Sequence, residues 1–403
     1  MKLVKIGNLL CLSNDPIEKY IKKGTFSNYH RYVNPDMTFR KVVIIANGVS
    51  QQKRLPPILM EDLEIHRIFG NRLLSLLRKL ILAIHITRRK NINVIRAYNP
   101  LVEGFIVIII GLLCKIPSVV SVHSDYQLLL KIRRYPLIMR IGLNVLQRIV
   151  YRFSTRVFCV SNGLADYVVS MNADPKKVRV IYNKVQISKF QNIIKDNEKK
   201  TLFELGIDSH TFILLYVGRI CPEKDLNCIL DAIQILKNKG YEICFIIVGD
   251  EMPDLFVKSL KDKLLLKIEQ LDIKQAVRIL GFKQNDELPV YYNLADAFVF
   301  PTLVYGFGVV LVEAQSAGLP ILASNILYPK DHGDIVDPKN ALFFDPANPT
   351  DLANKIALVI NDEAIRKKLS RLGASLSHKY EWNKIEKWEA RCYKELLEGN
   401  KEK

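Results

Sequence analysis

The chain has 403 residues, of which 49% are hydrophobic and 25% are charged. This composition excludes a disordered chain, and 19 Gly with 17 Pro are too few for a collagen-like one. A chain of this length forms two or three domains. The seven cysteines form no C-x-x-C pair, so we expect reduced thiols, a cytoplasmic protein and no structural zinc.

Positive charge is concentrated in the first half of the sequence. Residues 1–190 contain 31 Lys and Arg against 10 Asp and Glu, whereas residues 191–403 contain 28 against 31. The net charge of +18 therefore belongs to the first half. A basic surface suits a nucleic acid or an anionic membrane. Because no helix-turn-helix, zinc-finger or RNA-binding pattern is present, we expect no nucleic-acid partner.

Two basic segments, 65–102 and 126–156, contain no acidic residue. In the second, polar residues recur every four positions, at Arg140, Asn144, Arg148 and Arg152. Apolar residues fill the other positions, which predicts an amphipathic helix with a basic stripe. One interpretation is a helix that binds an anionic membrane, which would make the protein peripheral on the inner membrane face. The other is a core helix whose polar side happens to carry arginine.

Short apolar runs rich in β-branched residues alternate with helical patterns along the chain. The predicted strands are 42–46, 93–97, 119–123, 157–161 and 178–182, then 212–217, 243–248, 277–280, 297–300 and 320–323. The predicted helices are 72–85, 104–113, 137–152 and 163–171, then 226–238, 255–270, 286–293, 309–317 and 351–360. This alternation is typical of parallel sheets covered by helices. The predicted fold class is α/β, with two doubly wound, Rossmann-like domains.

The predicted domains are residues 1–190, residues 191–378 and a helical tail, 379–403, that packs back on the first domain. A polar segment at 188–204 has no clear apolar period and is predicted to be the linker. Ligands of open parallel sheets bind at the carboxyl ends of the strands. We therefore expect a ligand in the cleft where the two domains face each other.

Two cations follow the first predicted strand of the second domain. That strand ends at Gly218, Arg219 comes next, and Lys224 stands just before Asp225, a suitable N-cap for the following helix. Cations at a strand end beside a helix N-terminus suit an anion such as a diphosphate. The alternative is a pair of solvated surface cations.

A second strand-to-helix turn, within 301–318, is rich in glycine. Gly306 and Gly308 precede a helix that begins near Val309, and Glu313 lies in its first turns. Glycines let the backbone approach a ligand, and the helix N-terminus offers free amides. A carboxylate one turn into the helix could accept hydrogen bonds from a ribose. The alternative is an ordinary strand-to-helix turn.

The second half of the chain resembles the donor-binding domain of the retaining glycosyltransferases of family 4, which have the two-domain GT-B fold. The stretches that carry the resemblance are VGRICPEK (217–224), IVGD (247–250), VRILGF (277–282), ADAFVFP (295–301), GFGVVLVEA (306–314) and AGLPILAS (317–324). The first half resembles the family through VSVHSD (120–125), VSN (160–162) and VIYN (180–183).

The resemblance implies a role for each matching position. Arg219 and Lys224 would hold the diphosphate of a nucleotide sugar as the catalytic cations, and His123 would contact the sugar from the first domain. The residues that would bind the nucleotide sugar are Tyr305, Gly306, Phe307, Gly308, Val309, Val310 and Glu313, with Glu313 on the ribose. For His123 the alternative is a histidine with an ordinary structural role at a strand end.

This chain departs from the family pattern at two places. The first glutamate of the family's Glu-x7-Glu motif falls at position 305, where this chain has the bulkier, neutral Tyr305. The family's glycine-rich loop near the N-terminus is not obvious, and Gly24 is the candidate to replace it. These departures affect the identity of the donor sugar and the details of the acceptor side.

The resemblance implies a retaining glycosyltransferase that moves a sugar from a nucleotide-diphosphate sugar to a glycan or lipid-linked acceptor in surface polysaccharide biosynthesis. The chain contains no Asp-x-Asp sequence, so we expect no metal and no cofactor besides the donor substrate. Two alternatives stay open. One is an epimerase or phosphorylase on the same fold, and the other is a non-catalytic or partner-dependent sugar-nucleotide-binding homologue.

Overall fold

The computed structural model describes residues 5–48, 58–59, 62–69, 72–191, 195–251, 259–327 and 335–399. Backbone contacts divide the chain into two compact units. Unit 1 contains Met1–His123, Leu137–Tyr182 and Asn383–Lys403, and unit 2 contains Ser124–Pro136 and Asn183–Trp382. The chain therefore enters unit 2 twice and ends in unit 1, whereas the sequence analysis places the three domains one after another.

Unit 1 is built on an eight-stranded sheet with the order β3-β4-β2-β1-β5-β6-β7-β8. Its strands are β1 (Asn8–Leu12), β2 (Lys41–Asn47), β3 (Ile58–Leu59), β4 (Leu63–Ile68), β5 (Ile92–Ala97), β6 (Ser118–Val122), β7 (Arg156–Cys159) and β8 (Val178–Val180). The short edge strand β3 is antiparallel to β4, and the other pairs are parallel. Chain order reverses between β1 and β5, as in a doubly wound fold.

Both faces of this sheet are buried. In β1, Leu9 and Cys11 belong to one apolar core, whereas Leu10 and Leu12 belong to the core on the opposite face. Successive side chains of a strand point to opposite faces, so a strand covered on both sides is apolar throughout. The helices of unit 1 are α1 (Glu18–Lys22), α2 (Tyr29–Val33), α3 (Arg72–Arg89), α4 (Val102–Cys114), α6 (Leu137–Phe153), α7 (Asn162–Ser170) and α16 (Trp382–Glu398).

Unit 2 is built on a parallel six-stranded sheet with the order β11-β10-β9-β12-β13-β14. Its strands are β9 (Phe212–Val217), β10 (Ile243–Val248), β11 (Val277–Gly281), β12 (Ala297–Phe300), β13 (Ile321–Ser324) and β14 (Ala341–Phe344). Its helices are α5 (Tyr126–Ile132), α8 (Ser188–Gln191), α9 (Lys195–Leu205), α10 (Leu226–Asn238), α11 (Leu260–Gln270), α12 (Leu288–Leu294), α13 (Val309–Ser316), α14 (Pro349–Asn361) and α15 (Glu363–Ser377). Chain order reverses between β9 and β12, so the doubly wound α/β prediction is confirmed for both units.

Some sequence-based expectations are wrong in detail. The predicted linker, 188–204, contains α8 and most of α9 rather than irregular chain. The predicted helix at 255–270 begins only at Leu260, and its residues 255–258 lie outside the described residues. The sequence analysis also missed four strands, which are β1, β3, β4 and β14. Helix and strand boundaries elsewhere agree within a few residues, which is the usual uncertainty at element ends.

Helix α16 joins unit 1 through a buried ion pair. Arg96 at the end of β5 binds the carboxylate of Glu389, and its Nη1 lies 2.9 Å from the hydroxyl of Tyr393. The Nε of the same guanidinium donates to Ser121 Oγ at 2.9 Å. Arg96 and Glu389 are almost completely buried, so each charge depends on the other for compensation.

We expect Glu389→Gln to lower the free energy of unfolding of unit 1 by about 3 kcal/mol, because it leaves the Arg96 charge buried without its anion. Urea denaturation followed by circular dichroism measures this change. The control is Glu395→Gln on the same helix, where an exposed pair with Arg391 is lost, at a cost of about 0.5 kcal/mol. Equal losses in the two variants would contradict the assignment.

Candidate functional site

The candidate site lies in unit 2, where two neighbouring parallel strands end. Strand β9 ends at Val217 and β12 ends at Phe300, and the two strands pair through Ala297 with Leu214 and Phe298 with Leu215. They flank the point at which chain order reverses, which is where the ligands of open parallel sheets bind. The turn after β9 carries Arg219, and the turn after β12 carries the glycine-rich segment.

A close backbone contact fixes the start of the first turn. The amide of Gly218 donates to the carbonyl oxygen of Val248 at 2.9 Å. Gly249 directly follows Val248, the last residue of β10, and has a φ of 144°. A Cβ on Gly249 would lie 1.8 Å from the carbonyl oxygen of Gly218. Only glycine fits this position. The hydroxyl of Tyr216 donates to the carbonyl oxygen of Arg219 at 2.7 Å, which fixes the backbone beyond the contact.

The two turns pair with each other through their backbones. The amide of Asp225 donates to the carbonyl oxygen of Pro301 at 3.0 Å, and the amide of Leu303 donates to that of Glu223 at 2.8 Å. Lys224 and Thr302 thus form an antiparallel bridge. This pairing brings the basic motif and the glycine-rich motif, distant in sequence, to one edge of the sheet.

Lys224 lies in the contact between the turns. Its Nζ is 3.9 Å from the centroid of the Phe300 ring, a cation–π contact. Burial lowers the pKa of the Lys224 ammonium to about 8, and the positive charge of Arg219 acts in the same direction. The neighbouring Cys221 and Glu223 oppose that shift. Near neutral pH the ammonium is still mostly protonated and can hold an anion.

Glu223 is a buried carboxylate that holds two arginines. Its Oε1 lies 3.4 Å from Nη2 of Arg219, whose side chain is half exposed. Arg133 makes two contacts with the same carboxylate, Nη2 to Oε1 at 2.5 Å and Nε to Oε2 at 3.3 Å. Burial opposes ionisation of Glu223, but the hydrogen bond and charge of Arg133, with the charge of Arg219, lower the pKa of Glu223 below its ordinary value. The cluster therefore contains an ionised carboxylate that orients Arg219.

The sequence analysis missed Arg133 as part of this site. The residue lies in Ser124–Pro136, the early segment that belongs to unit 2. The same segment contacts the glycine-rich turn, because the amide of Asp125 donates to the carbonyl oxygen of Tyr305 at 3.1 Å. No local motif marks Arg133, which was counted only as one of many cations in a basic segment. Only the fold places it beside Glu223.

The glycine-rich turn leads tightly into α13. A Cβ on Gly308 would lie 2.9 Å from Leu311 Cδ1 and 3.1 Å from Cζ of the Phe300 ring. Glycine thus lets the turn pack on the ring that also contacts Lys224. The amides of Val309 and Val310 begin the helix and have no partner inside it, so this end of α13 suits an anion.

Glu313 is buried and oriented by a tyrosine. The hydroxyl of Tyr292 donates to Oε2 of Glu313 at 2.7 Å. The Tyr292 ring itself packs against Phe298 and Phe190, with centroids 5.8 and 5.4 Å apart. Tyr292 lies on α12, and the sequence analysis did not identify it as a site residue. Nothing near it in the sequence predicts a contact with Glu313.

Tyr305 and its neighbours lie in the turn between β12 and α13. The side chain of Tyr305 is buried inside unit 2, and its backbone carbonyl accepts the hydrogen bond from Asp125. Gly306 and Phe307 are half-buried, and the centroids of the Phe307 and Tyr380 rings lie 5.4 Å apart in an edge-to-face contact. The motif position that carries glutamate in the family resemblance is thus filled here by a buried, neutral ring.

Two further candidates lie in unit 1. His123 follows β6 and is half-buried; burial lowers its pKa to about 4, and the charge of Arg96 contributes. The imidazole is therefore neutral near neutral pH. Gly24 has a φ of 69° and its amide donates to the carbonyl oxygen of Ile21, so it ends α1 as a helix-terminating glycine.

Comparisons with known families cover most of the chain. Residues 197–375 match the family described as Glycosyl transferases group 1. Residues 40–189 match the family described as Glycosyltransferase Family 4. The two matches meet near the start of α9 and together include every predicted site residue except Gly24.

Individual relatives agree with these matches. An uncharacterized glycosyltransferase of Methanocaldococcus jannaschii is 27% identical over 322 residues, which are 77% of this chain and 78% of the relative. The UDP-Gal:alpha-D-GlcNAc-diphosphoundecaprenol alpha-1,3-galactosyltransferase of Escherichia coli is 30% identical over 178 residues, 43% of each protein.

A solved structure shares the fold. The Anabaena protein HepE, crystallised with UDP, superposes with a TM-score of 0.75 at 16% identity, over 96% of this chain and 100% of that chain. With two parallel-sheet units and family matches in both halves, the chain belongs to the glycosyltransferases with the GT-B fold.

Proposed function

We propose that this glycosyltransferase takes its sugar from a nucleotide-diphosphate sugar that binds in unit 2. The backbone pairing between Glu223–Asp225 and Pro301–Leu303 carries the proposal. It places Lys224, Arg219 and the N-terminus of α13 at the same edge of the sheet. Two cations and a set of free amides at a strand end are what a diphosphate requires.

The proposed chemistry is electrostatic. When the bond between sugar and diphosphate breaks, negative charge grows on the leaving oxygen. Lys224 and Arg219 would stabilise that charge, and their positions are already fixed by Phe300 and Glu223, so little reorganisation is needed during the reaction. We propose that these cations serve in place of a metal ion.

The nucleotide would be held by Glu313. Its carboxylate accepts the hydroxyl of Tyr292, and we propose that it also accepts a hydrogen bond from the ribose. The glycine-rich residues 306–310 would let the backbone approach the phosphates and the sugar. Tyr305 would limit the space beside the sugar, because a buried ring replaces an acidic side chain there.

We propose retention of anomeric configuration, as the family resemblance implies. His123 would contact the sugar with a neutral imidazole, since burial lowers its pKa to about 4. A neutral ring can exchange hydrogen bonds with a sugar hydroxyl without opposing the positive charge that develops on the sugar in the transition state.

The proposed acceptor is a glycan or a lipid-linked sugar in surface polysaccharide biosynthesis at the inner membrane face. The name of the Escherichia coli relative, whose acceptor is a sugar on diphosphoundecaprenol, supports this class. The excess of Lys and Arg in residues 1–190 supports a peripheral position on an anionic membrane.

We expect Arg219→Met and Lys224→Met each to lower kcat by about 10²-fold or more, because each removes one preorganised cation from the leaving group. Turnover of UDP-sugars and GDP-sugars with a membrane extract as acceptor source measures this loss. The control is Lys237→Met on α10, which removes a surface lysine paired with Asp272. Full turnover in both site variants would refute the phosphate assignment.

The pH dependence follows from Lys224. Its pKa in the folded protein is about 8, and the protonated form is the one that binds the diphosphate. Donor kcat/KM should therefore be constant below pH 8 and fall about tenfold per pH unit above it. In Lys224→Arg the guanidinium stays charged, so this decline should move beyond pH 10. If kcat/KM declines at the same pH in the wild type and in Lys224→Arg, a group other than residue 224 causes the decline.

A further inference from the structure

The early segment of unit 2, Ser124–Pro136, contacts both turns of the candidate site. At one end, the amide of Asp125 donates to the carbonyl oxygen of Tyr305 in the glycine-rich turn at 3.1 Å. Near the other end, Arg133 binds the carboxylate of Glu223 in the basic turn. This segment, which we call the strap, therefore connects the two turns by a route that is separate from their own backbone pairing.

The backbone that carries Arg133 is fixed by the way α5 ends. The amide of Tyr135 donates to the carbonyl oxygen of Leu130 at 3.0 Å, and the amide of Arg134 donates to that of Lys131 at 3.1 Å. These two bonds form a Schellman motif, which ordinarily has glycine where Arg134 stands with a φ of 56°. A non-glycine residue keeps this conformation only when its surroundings hold it there. Arg133 is thus presented to Glu223 from a rigid turn.

Arg133 and Arg219 share the Glu223 carboxylate unequally. Arg133 makes a two-point contact, Nη2 to Oε1 at 2.5 Å and Nε to Oε2 at 3.3 Å. The contact of Arg219 with Oε1 is longer, 3.4 Å, and the Arg219 side chain is 50% exposed against 20% for Arg133. A two-point pair between arginine and carboxylate is the stronger geometry. Arg133 is therefore the tighter of the two partners, and half of the Arg219 side chain stays accessible to a ligand.

We propose that Arg133 is a positioning residue that keeps Arg219 available to the donor diphosphate by occupying the Glu223 carboxylate. An arginine alone beside a buried carboxylate would form the two-point pair itself, because the buried charge needs compensation. With Arg133 in place, Glu223 orients Arg219 without binding it tightly. The two arginines and one carboxylate then leave a net positive charge for the ligand. The inference rests on the proposed function, since the diphosphate is the anion that would use this charge.

The experiment is isothermal titration calorimetry of the full chain with UDP and, separately, with GDP, which measures binding without turnover. In Arg133→Met, Arg219 should pair with Glu223, and the nucleotide that binds the wild type should bind about tenfold more weakly. Arg133→Lys keeps a cation on the carboxylate and should retain affinity within about threefold of the wild type. The matched control is Arg134→Met, the same substitution at the exposed neighbouring arginine, which should bind like the wild type.

Two double variants separate positioning from a structural role. Arg133→Met combined with Glu223→Gln should recover most of the affinity, because a neutral amide does not pair tightly with the Arg219 guanidinium. Arg219→Met added to Arg133→Met should lower the affinity little below that of Arg219→Met alone, since Arg219 is already withdrawn from the ligand. If Arg133 touched the nucleotide directly, Glu223→Gln would restore nothing and the losses would add.

The positioning role is wrong if Arg133→Met binds the nucleotide like the wild type, if the two losses add, or if Glu223→Gln restores no affinity. Melting temperatures show whether each variant is folded. Should Arg133→Met not fold, its combination with Glu223→Gln decides alone, because that variant leaves no buried charge unpaired. A tenfold loss there would overturn the proposal.

Failure of the proposed function gives a different pattern. If the wild type binds neither nucleotide, or if Arg219→Met keeps full affinity, the donor site itself is wrong, and the positioning role falls with it. Weaker binding in Arg219→Met together with unchanged binding in Arg133→Met would refute the positioning role and leave the donor site in place.

Discussion

The candidate site depends on a short pairing of backbone between two turns of unit 2. The hydrogen bonds that join Glu223–Asp225 to Pro301–Leu303 connect the segment after β9 to the segment after β12. Each turn alone would be an ordinary strand-to-helix connection. Paired, they hold Lys224 over the Phe300 ring, and Gly308 packs on the same ring at the start of α13. One interaction thus sets the positions of a cation and of a helix N-terminus.

Glu223 also contributes to the site through its side chain, which binds two arginines. It is a buried carboxylate between Arg219 and Arg133, and Arg133 comes from the early segment Ser124–Pro136. A buried carboxylate without such partners would be strongly destabilising. The pair with Arg133 therefore stabilises the anion, and the anion in turn orients the half-exposed Arg219. The basic motif of the second half is completed by a residue from the first half of the sequence.

The sequence predicted much of unit 2 because its signals are local. Strands β9, β10 and β12 are continuous apolar runs, and Gly218, Arg219, Gly308 and Glu313 lie next to the strand or helix ends that position them. In contrast, β4 was missed because Glu64 and His66 interrupt its apolar run. Glu64 is tolerated there because Lys41 lies 2.8 Å from its carboxylate and His66 lies 2.6 Å from it. Arg133 and Tyr292 could not be predicted, because their contacts with Glu223 and Glu313 exist only after the chain folds.

The central claim concerns where the diphosphate of the donor binds, and a crystal structure with a nucleotide-diphosphate sugar tests it most directly. The account predicts phosphate oxygens within hydrogen-bond distance of Lys224 Nζ, the Arg219 guanidinium and the amides of Val309 and Val310, with a ribose hydroxyl on Glu313. A diphosphate bound elsewhere, with Lys224 still directed at the Phe300 ring and free of phosphate, would contradict it.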